Sequence, residues 1–197
     1  MKIHLLIIFF LVNIISHAKY DPKIIAELID QAEIIGYGEI SEFGPIEFTL
    51  VFKSVIKGSP LKSIKILKFA NWTCASRWTN YKVGEKLLVF LDISDDNSYY
   101  ALGGGNEGEM PIFDDNLYYK SPYNSLDINA TEFSFDSDSL FGYKYSLEEV
   151  ISIIKNYIAE RENYHQISKN AAFKIPKTDL TFKSKIISEL KSVVYPN

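Results

Sequence analysis

Glu47-Phe48-Thr49-Leu50-Val51-Phe52-Lys53-Ser54-Val55-Ile56-Lys57 carries the pattern on which the fold turns. Phe48, Leu50, Phe52 and Ser54 fall on one side of an extended chain, and Glu47, Thr49, Val51 and Lys53 on the other. That period of two belongs to a half-buried strand. Turn residues bracket the run, with Phe43-Gly44-Pro45 before it and Gly58-Ser59-Pro60 after it. Working outward, strand-like runs occupy Glu33–Glu42, Ser63–Ala70, Glu85–Asp92 and Ser98–Leu102, and Asp95-Asp96-Asn97 supplies a further turn. Five short strands at this spacing predict a meander or a small barrel.

Helical signals flank the strands. Asp21-Pro22 reads as an N-cap with proline at the first helical position, and Ile24, Ile25, Leu28 and Ile29 follow at helical spacing over 22–31. Ser146-Leu147-Glu148-Glu149 has the form of a capping box, leading Val150, Ile151, Ile153, Ile154, Tyr157 and Ile158 along one stripe. A last helix is expected over Thr181–Val194. Between them, residues 103–145 are rich in Gly, Asp, Asn, Ser and Tyr, and predict long loops with a short strand near Asn116–Tyr119.

The chain's 197 residues are 47% hydrophobic and 23% charged, an ordinary globular composition that excludes disordered, collagen-like and multi-span membrane proteins. Its net charge of −4 gives no global field to attract nucleic acid or anionic membrane. Met1-Lys2, the apolar run Leu5–Ile15 and Ser16-His17-Ala18 have the order of a secretory signal peptide cleaved after Ala18. The run falls short of the roughly 20 residues of a spanning helix, so no stable membrane span is expected after cleavage. A secreted or periplasmic protein follows as the expectation. One cysteine, Cys74, leaves no intrachain disulfide framework.

Several patterns imitate chemistry. Gly103-Gly104-Gly105-Asn106-Glu107-Gly108 matches G-x-G-x-x-G, yet Glu107 and Glu109 would repel phosphate and Pro111 stands where a helix is needed. Ser54 to Lys57 and Ser59 to Lys62 fit S-x-x-K without the partner motifs. A Cys74–His165 nucleophile pair has no local signature. Asp136-Ser137-Asp138, Gly142 and Glu148 run one residue too long for a calcium loop. No cofactor or metal is therefore expected. Lys53, Lys57, Lys62, Lys65 and Lys68 read as charges guarding strand edges rather than a nucleic-acid surface. Asp92, Asp95, Asp96, Glu107, Glu109, Asp114 and Asp115 leave a carboxylate-dependent hydrolase as the alternative to binding.

The segment Asn71-Trp72-Thr73-Cys74-Ala75-Ser76-Arg77-Trp78-Thr79-Asn80-Tyr81 concentrates both tryptophans, an arginine and the cysteine between two strands. Tryptophan and arginine dominate binding hot spots through contact area and stacking. The competing reading is a structural plug, with Trp72 and Trp78 closing one barrel end and Arg77 stacked on them.

Ala32-Glu33-Ile34-Ile35-Gly36-Tyr37-Gly38-Glu39-Ile40, the strand to Lys57-Gly58, a lysine-rich strand, a cysteine and Tyr81-Lys82-Val83-Gly84-Glu85-Lys86-Leu87-Leu88-Val89-Phe90-Leu91 follow one another in order. With Trp72-Thr73-Cys74-Ala75-Ser76-Arg77 and Glu107-Gly108-Glu109-Met110-Pro111, this arrangement resembles the netrin and metalloproteinase-inhibitor (TIMP-like) module in a bacterial secreted form. The resemblance covers residues 30–112 and implies an OB-type barrel. The zinc-chelating N-terminal cysteine it implies for such inhibitors has no match at Lys19-Tyr20-Asp21, and Ala101-Leu102-Gly103 stands where a second cysteine is often found. Residues 118–197 have no counterpart.

The expectation is an α+β protein: a signal peptide over 1–18, an OB-like five-stranded barrel with an N-terminal helix over 19–117, and a loop-rich helical extension over 118–197. Its expected role is non-catalytic binding of a protein or cell-envelope ligand, with an envelope assembly role as a further alternative. Trp72, Arg77, Trp78, Glu107 and Glu109 are the candidate contact residues, and nucleic acid is excluded as a partner.

Overall fold

The computed structural model describes residues 22–71, 75–119, 131–134, 139–176, 179 and 181–195. Its elements are α1 (Ile25–Gln31), β1 (Ile34–Phe43), β2 (Glu47–Lys57), β3 (Ser63–Leu67), β4 (Lys86–Ile93), β5 (Tyr99–Ala101), β6 (Glu109–Phe113), β7 (Asn116–Tyr119), β8 (Thr131–Ser134), β9 (Ser139–Ser146), α2 (Leu147–Ala159), α3 (Arg161–Lys169) and α4 (Phe182–Val194). Strands β1-β2-β3-β5-β4 close on themselves through a β1–β4 pairing, and only β3–β5 among them is parallel. The molecule is an α+β protein built on a five-stranded barrel of OB-type strand order.

Closure requires β1 to bond β2 on one edge and β4 on the other while coiling sharply. Register shifts at Ile35/Gly36, Tyr37/Gly38 and Ile40/Glu42 supply the bend. Gly38 makes it possible, since a Cβ there would stand 2.2 Å from the Val51 carbonyl oxygen. The same shifts reset the phase of β2. Phe48, Leu50 and Phe52 face the barrel interior as the alternation predicts, but beyond the shift Val55, not Ser54, packs inward.

Two cores share β4. Leu87, Val89 and Leu91 line the barrel with Ile34, Ile40, Phe48, Leu50, Ile64 and Ile66. Leu88 and Phe90 point outward and are covered by Ile25, Leu28 and Ile29 of α1, Val150 and Ile154 of α2, and Ile186 of α4. A strand buried on both faces reads as an unbroken apolar run, which Leu87–Leu91 is.

The chain beyond the barrel is more regular than its composition suggests. β6 pairs with β4, and the sheet runs on through β7, β9 and β8 to nine strands. β6 was hidden because Glu109-Met110-Pro111-Ile112 is buried throughout and shows no alternation. Gly142, from the stretch that resembled a calcium loop, lies on β9 and pairs with Thr131 in a hairpin ladder, while Asp136-Ser137-Asp138 lie outside the described residues. α3, Arg-Glu-Asn-Tyr-His-Gln-Ile-Ser-Lys, was concealed by its polarity, and Tyr164 supplies its buried anchor.

Polar contacts fix the helices. Ser146 accepts a hydrogen bond from the Glu149 amide at 3.1 Å, but Glu149 does not return it as a capping box would. Its carboxylate accepts instead from the amide of Phe182 at 2.8 Å, tying α2 to the start of α4. The fully buried Glu189 of α4 accepts from the Ile25 amide at 3.1 Å and the Tyr119 hydroxyl at 2.8 Å, satisfying one orphan donor of α1. α1 begins at Ile25 rather than Pro22, with Glu27 accepting from the Ile24 amide at 3.0 Å, and Asp21 lies outside the described residues. Among the described residues no helix is long and apolar enough to cross a membrane.

Candidate functional site

Between β3 and β4 the chain crosses one end of the barrel as an extended segment, Ala75–Tyr81. Its residues alternate, with Arg77 and Thr79 buried while Ser76, Trp78 and Asn80 lie on the other side, partly or fully exposed.

Arg77 is 4% exposed and meets two carboxylates, Glu85 at 4% and Glu109 at 0%. Nη2 stands 3.2 Å from Glu85 Oε1, Nε approaches Glu109 Oε2 at 2.7 Å as an ion pair without hydrogen-bond alignment, and Nη1 donates to the Thr79 carbonyl at 2.9 Å. The Thr79 hydroxyl also donates to Glu85 Oε1. The guanidinium carbon lies 3.7 Å from the Tyr81 ring centroid, so Arg77 stacks on tyrosine. The Tyr81 hydroxyl donates to Glu109 at 2.9 and 3.0 Å and accepts from the Phe69 amide at 2.7 Å. Lys68 covers the same ring at 5.0 Å and Phe43 at 5.4 Å, extending the cation–aromatic ladder to the surface.

Electrostatics follow from the count of charges: one guanidinium serves two carboxylates. Burial pushes the Glu109 carboxyl up to about 7, with Glu85 adding to the rise and Arg77 and the Tyr81 hydroxyl opposing it. Burial and Glu109 likewise hold the Tyr81 hydroxyl well above its ordinary value.

The glycine-rich stretch supports this segment from below. Gly105 has φ +58, and a Cβ there would stand 2.3 Å from the Ser76 carbonyl oxygen, so only glycine lets the two backbones approach. Asn106 accepts from the Trp78 amide and donates to the Glu109 carbonyl at 3.0 Å. Glu107 accepts from the amides of Gly104 at 3.2 Å and Lys23 at 3.1 Å, tying the loop to the chain before α1. β6, a strand rather than a helix, follows the glycines.

The five candidate contact residues therefore divide. Arg77 and Glu109 are too deeply buried to touch a surface ligand and instead position the segment, which corrects their assignment as direct contacts. Glu107 serves the loop beneath. Trp78 is half-buried in the outward row, and Trp72, with Cys74, lies outside the described residues. Sequence reasoning missed Glu85, Thr79, Tyr81 and Asn106. The alternation of Arg77, Thr79 and Tyr81 against Ser76, Trp78 and Asn80 is the signal that could have found two of them.

The other candidate acids have separate employment. Asp92 accepts from the Tyr100 hydroxyl at 3.1 Å, Asp96 caps the turn through Ser94 and the Ser98 amide, and Asp114 and Asp115 adopt left-handed backbone in the β6–β7 turn. His165 stands 3.2 Å from the Tyr157 hydroxyl in the helical layer. Among the described residues no group of three or more His, Cys, Asp or Glu is placed to hold a metal.

No family model matches the chain, and no curated protein matches it. Among solved structures, one described as an exosome complex RNA-binding protein is similar over 82% of this chain and 94% of its own, at 13% identity and a TM-score of 0.28. The exclusion of nucleic acid drawn from charge and export is withdrawn, because net charge does not decide it. Net charge of −4 does not bar a local basic surface such as the lysines of β2 and β3. At this TM-score the likeness assigns no ligand to the present chain.

Proposed function

We propose that this protein is an exported, non-catalytic binding module of the netrin/TIMP-like kind, which recognises a protein or cell-envelope ligand through the outward row of Ala75–Tyr81. The observation that carries the reading is the way the segment is held. A buried ion cluster, a cation–aromatic stack and a glycine loop fix its backbone, while Trp78 stands half-buried on the far side. A rigid scaffold presenting a large amphipathic side chain lowers the ordering cost of binding. Ser76 and Asn80, both exposed, flank it with adaptable hydrogen-bonding groups. Export rests on the leader-like residues 1–18, and intact-mass analysis of the protein from the exported fraction should find a chain beginning at Lys19.

Trp78→Ala tests the binding role. The variant should unfold at the wild-type temperature, since Arg77 and its partners are untouched, and should lose a partner that crosslinks to the wild-type protein in its native envelope fraction. Equal capture by both proteins would remove Trp78 and the outward row from the recognition surface.

A further inference from the structure

The cluster under Ala75–Tyr81 holds more negative than positive charge. Glu85 and Glu109 both reach Arg77, and each of the three is at most 4% exposed. Lys68 lies beyond the Tyr81 ring at 5.0 Å, with only Gly44 and the two rings among its contacts, and Glu107 adds a further acid on the strand-ward side of the glycine loop. Asn106 and Thr79 are neutral. With both carboxylates ionised, one negative charge is left uncompensated away from water, a state that costs several kcal/mol per ion. Glu85 Oε2 is the mark of the shortfall: it is buried and has no hydrogen-bond partner among the described residues.

Two relaxations are open to such a cluster. A proton can settle on Glu109, leaving the guanidinium to Glu85, or the segment can lift so that water reaches Glu109. What would lift is already defined: Arg77 and Tyr81 hang from Ala75–Tyr81, while Glu109 sits on β6 in the sheet. Parting them costs the bridge at Ala75, the hydrogen bonds of Trp78 to Asn106 and of Tyr81 to Glu109, and the ring contact of Tyr81 with Phe48, and leaves the β4–β6 ladder whole.

We propose that the Arg77–Glu85–Glu109 cluster is a proton-operated latch on Ala75–Tyr81: the segment is shut while Glu109 keeps its proton, and loosens as that proton leaves. The inference rests on the reading of this segment as the recognition surface and names how that surface is regulated. The sign is fixed by linkage. Opening hydrates Glu109, so the open form releases the proton that the shut form keeps, and rising pH favours opening. The raised affinity of Glu109 for its proton, near 7, places the change around neutrality. An exported protein would thus present a firm recognition surface in mildly acid surroundings and a loose one in alkaline ones.

The test needs no ligand, so its failure and the failure of the binding reading are separable. Hydrogen exchange of the Ala75–Tyr81 amides, corrected for intrinsic exchange, is followed in the intact exported protein from pH 5.5 to 8.5. Protection should fall about tenfold per unit from pH 5.5 to about 7, the slope of one released proton, and level off above it, while amides of β2 stay flat. Glu109→Gln, which keeps the shape and removes the titration, should abolish that slope. Carbon-detected NMR of the wild-type glutamate carboxyls covers the case of a variant that does not fold: one carboxyl should titrate near neutrality, with the Trp78 amide shifting at the same midpoint. Flat protection across the range, an unchanged slope in Glu109→Gln, or the absence of a carboxyl titrating above pH 5.5 would each overturn the latch.

Discussion

Where α1, α2 and α4 cover the sheet, the side chains of Ile25, Leu28, Phe90, Val150, Ile154 and Ile186 are fully buried in one apolar cluster, with Glu189 hydrogen-bonded at its edge. At the barrel end, Arg77, Glu85 and Glu109 are buried to a similar degree and touch as ions. Apolar contact is non-directional, so the first region is stabilised by area and is indifferent to proton concentration. Charged contact needs each partner present and in the right ionisation state, so the second region is stabilised only when its inventory is complete. The contrast teaches where to look for regulation in this molecule: a segment seated on ions can be released by chemistry that leaves a segment seated on hydrocarbon untouched.

The sharpest way to break the comparison is Arg77→Met. Removing the only cation from two buried carboxylates should cost about 3–5 kcal/mol at pH 8, with less lost at pH 5, where protons replace the missing charge. Denaturant unfolding at the two pH values reads this, and an equal loss at both would mean that the ions are not what holds the barrel end. Phe90→Ala is the matched experiment in the hydrocarbon region. It should cost about 3 kcal/mol, with the same value at pH 5 and pH 8.

In the wild-type protein the same contrast appears as a pH dependence. Glu109 has its pKa raised in the folded state from 4.5 to about 7, so the folded protein binds the proton more tightly than the unfolded chain. That stabilisation is complete below pH 4.5 and is lost as the pH rises through 7. Stability should therefore fall by about 2–3 kcal/mol between pH 5 and pH 8, a part of the curve that Glu109→Gln should flatten. A smaller effect is expected of Thr181→Ala, which removes the hydroxyl that accepts from the Ser184 amide at the start of α4. It should cost about 1 kcal/mol at either pH. Lys65→Ala, which breaks the exposed pair with Glu47, should leave the unfolding midpoint unmoved.

What could be read from the sequence followed the same division. The strands β1, β2 and β3 and the helices over 147–159 and 182–194 were legible because each buries one face or one stripe, and burial on one side writes a period into the chain, while β4 was legible as an unbroken apolar run of five residues. β6 was not, because burial on both sides erases the period, and α3 was not, because a single anchoring Tyr164 writes none. In the candidate site, composition drew attention to Arg77, Trp78 and Glu109 together. It could not say that the arginine and the acid turn inward and the tryptophan outward, because charge ordinarily means exposure. Only the closed sum of a buried guanidinium, two carboxylates, a threonine and a tyrosine reverses that rule, and Glu109, which completes it, lies 28 residues beyond Tyr81 and leaves no local trace.

β4 has a consequence for how the chain comes into being. Its inner face is complete once β1, β2, β3 and β5 have joined it, all of them made before or just after it. Its outer face waits for α2 and α4, which are the last parts of the chain to be made. A growing chain therefore carries Leu88 and Phe90 covered by α1 alone until α2 and α4 are made. That strip stays partly wet and adhesive after the barrel itself could close. A chain stopped short of Thr181 would be a closed barrel with an open, sticky back.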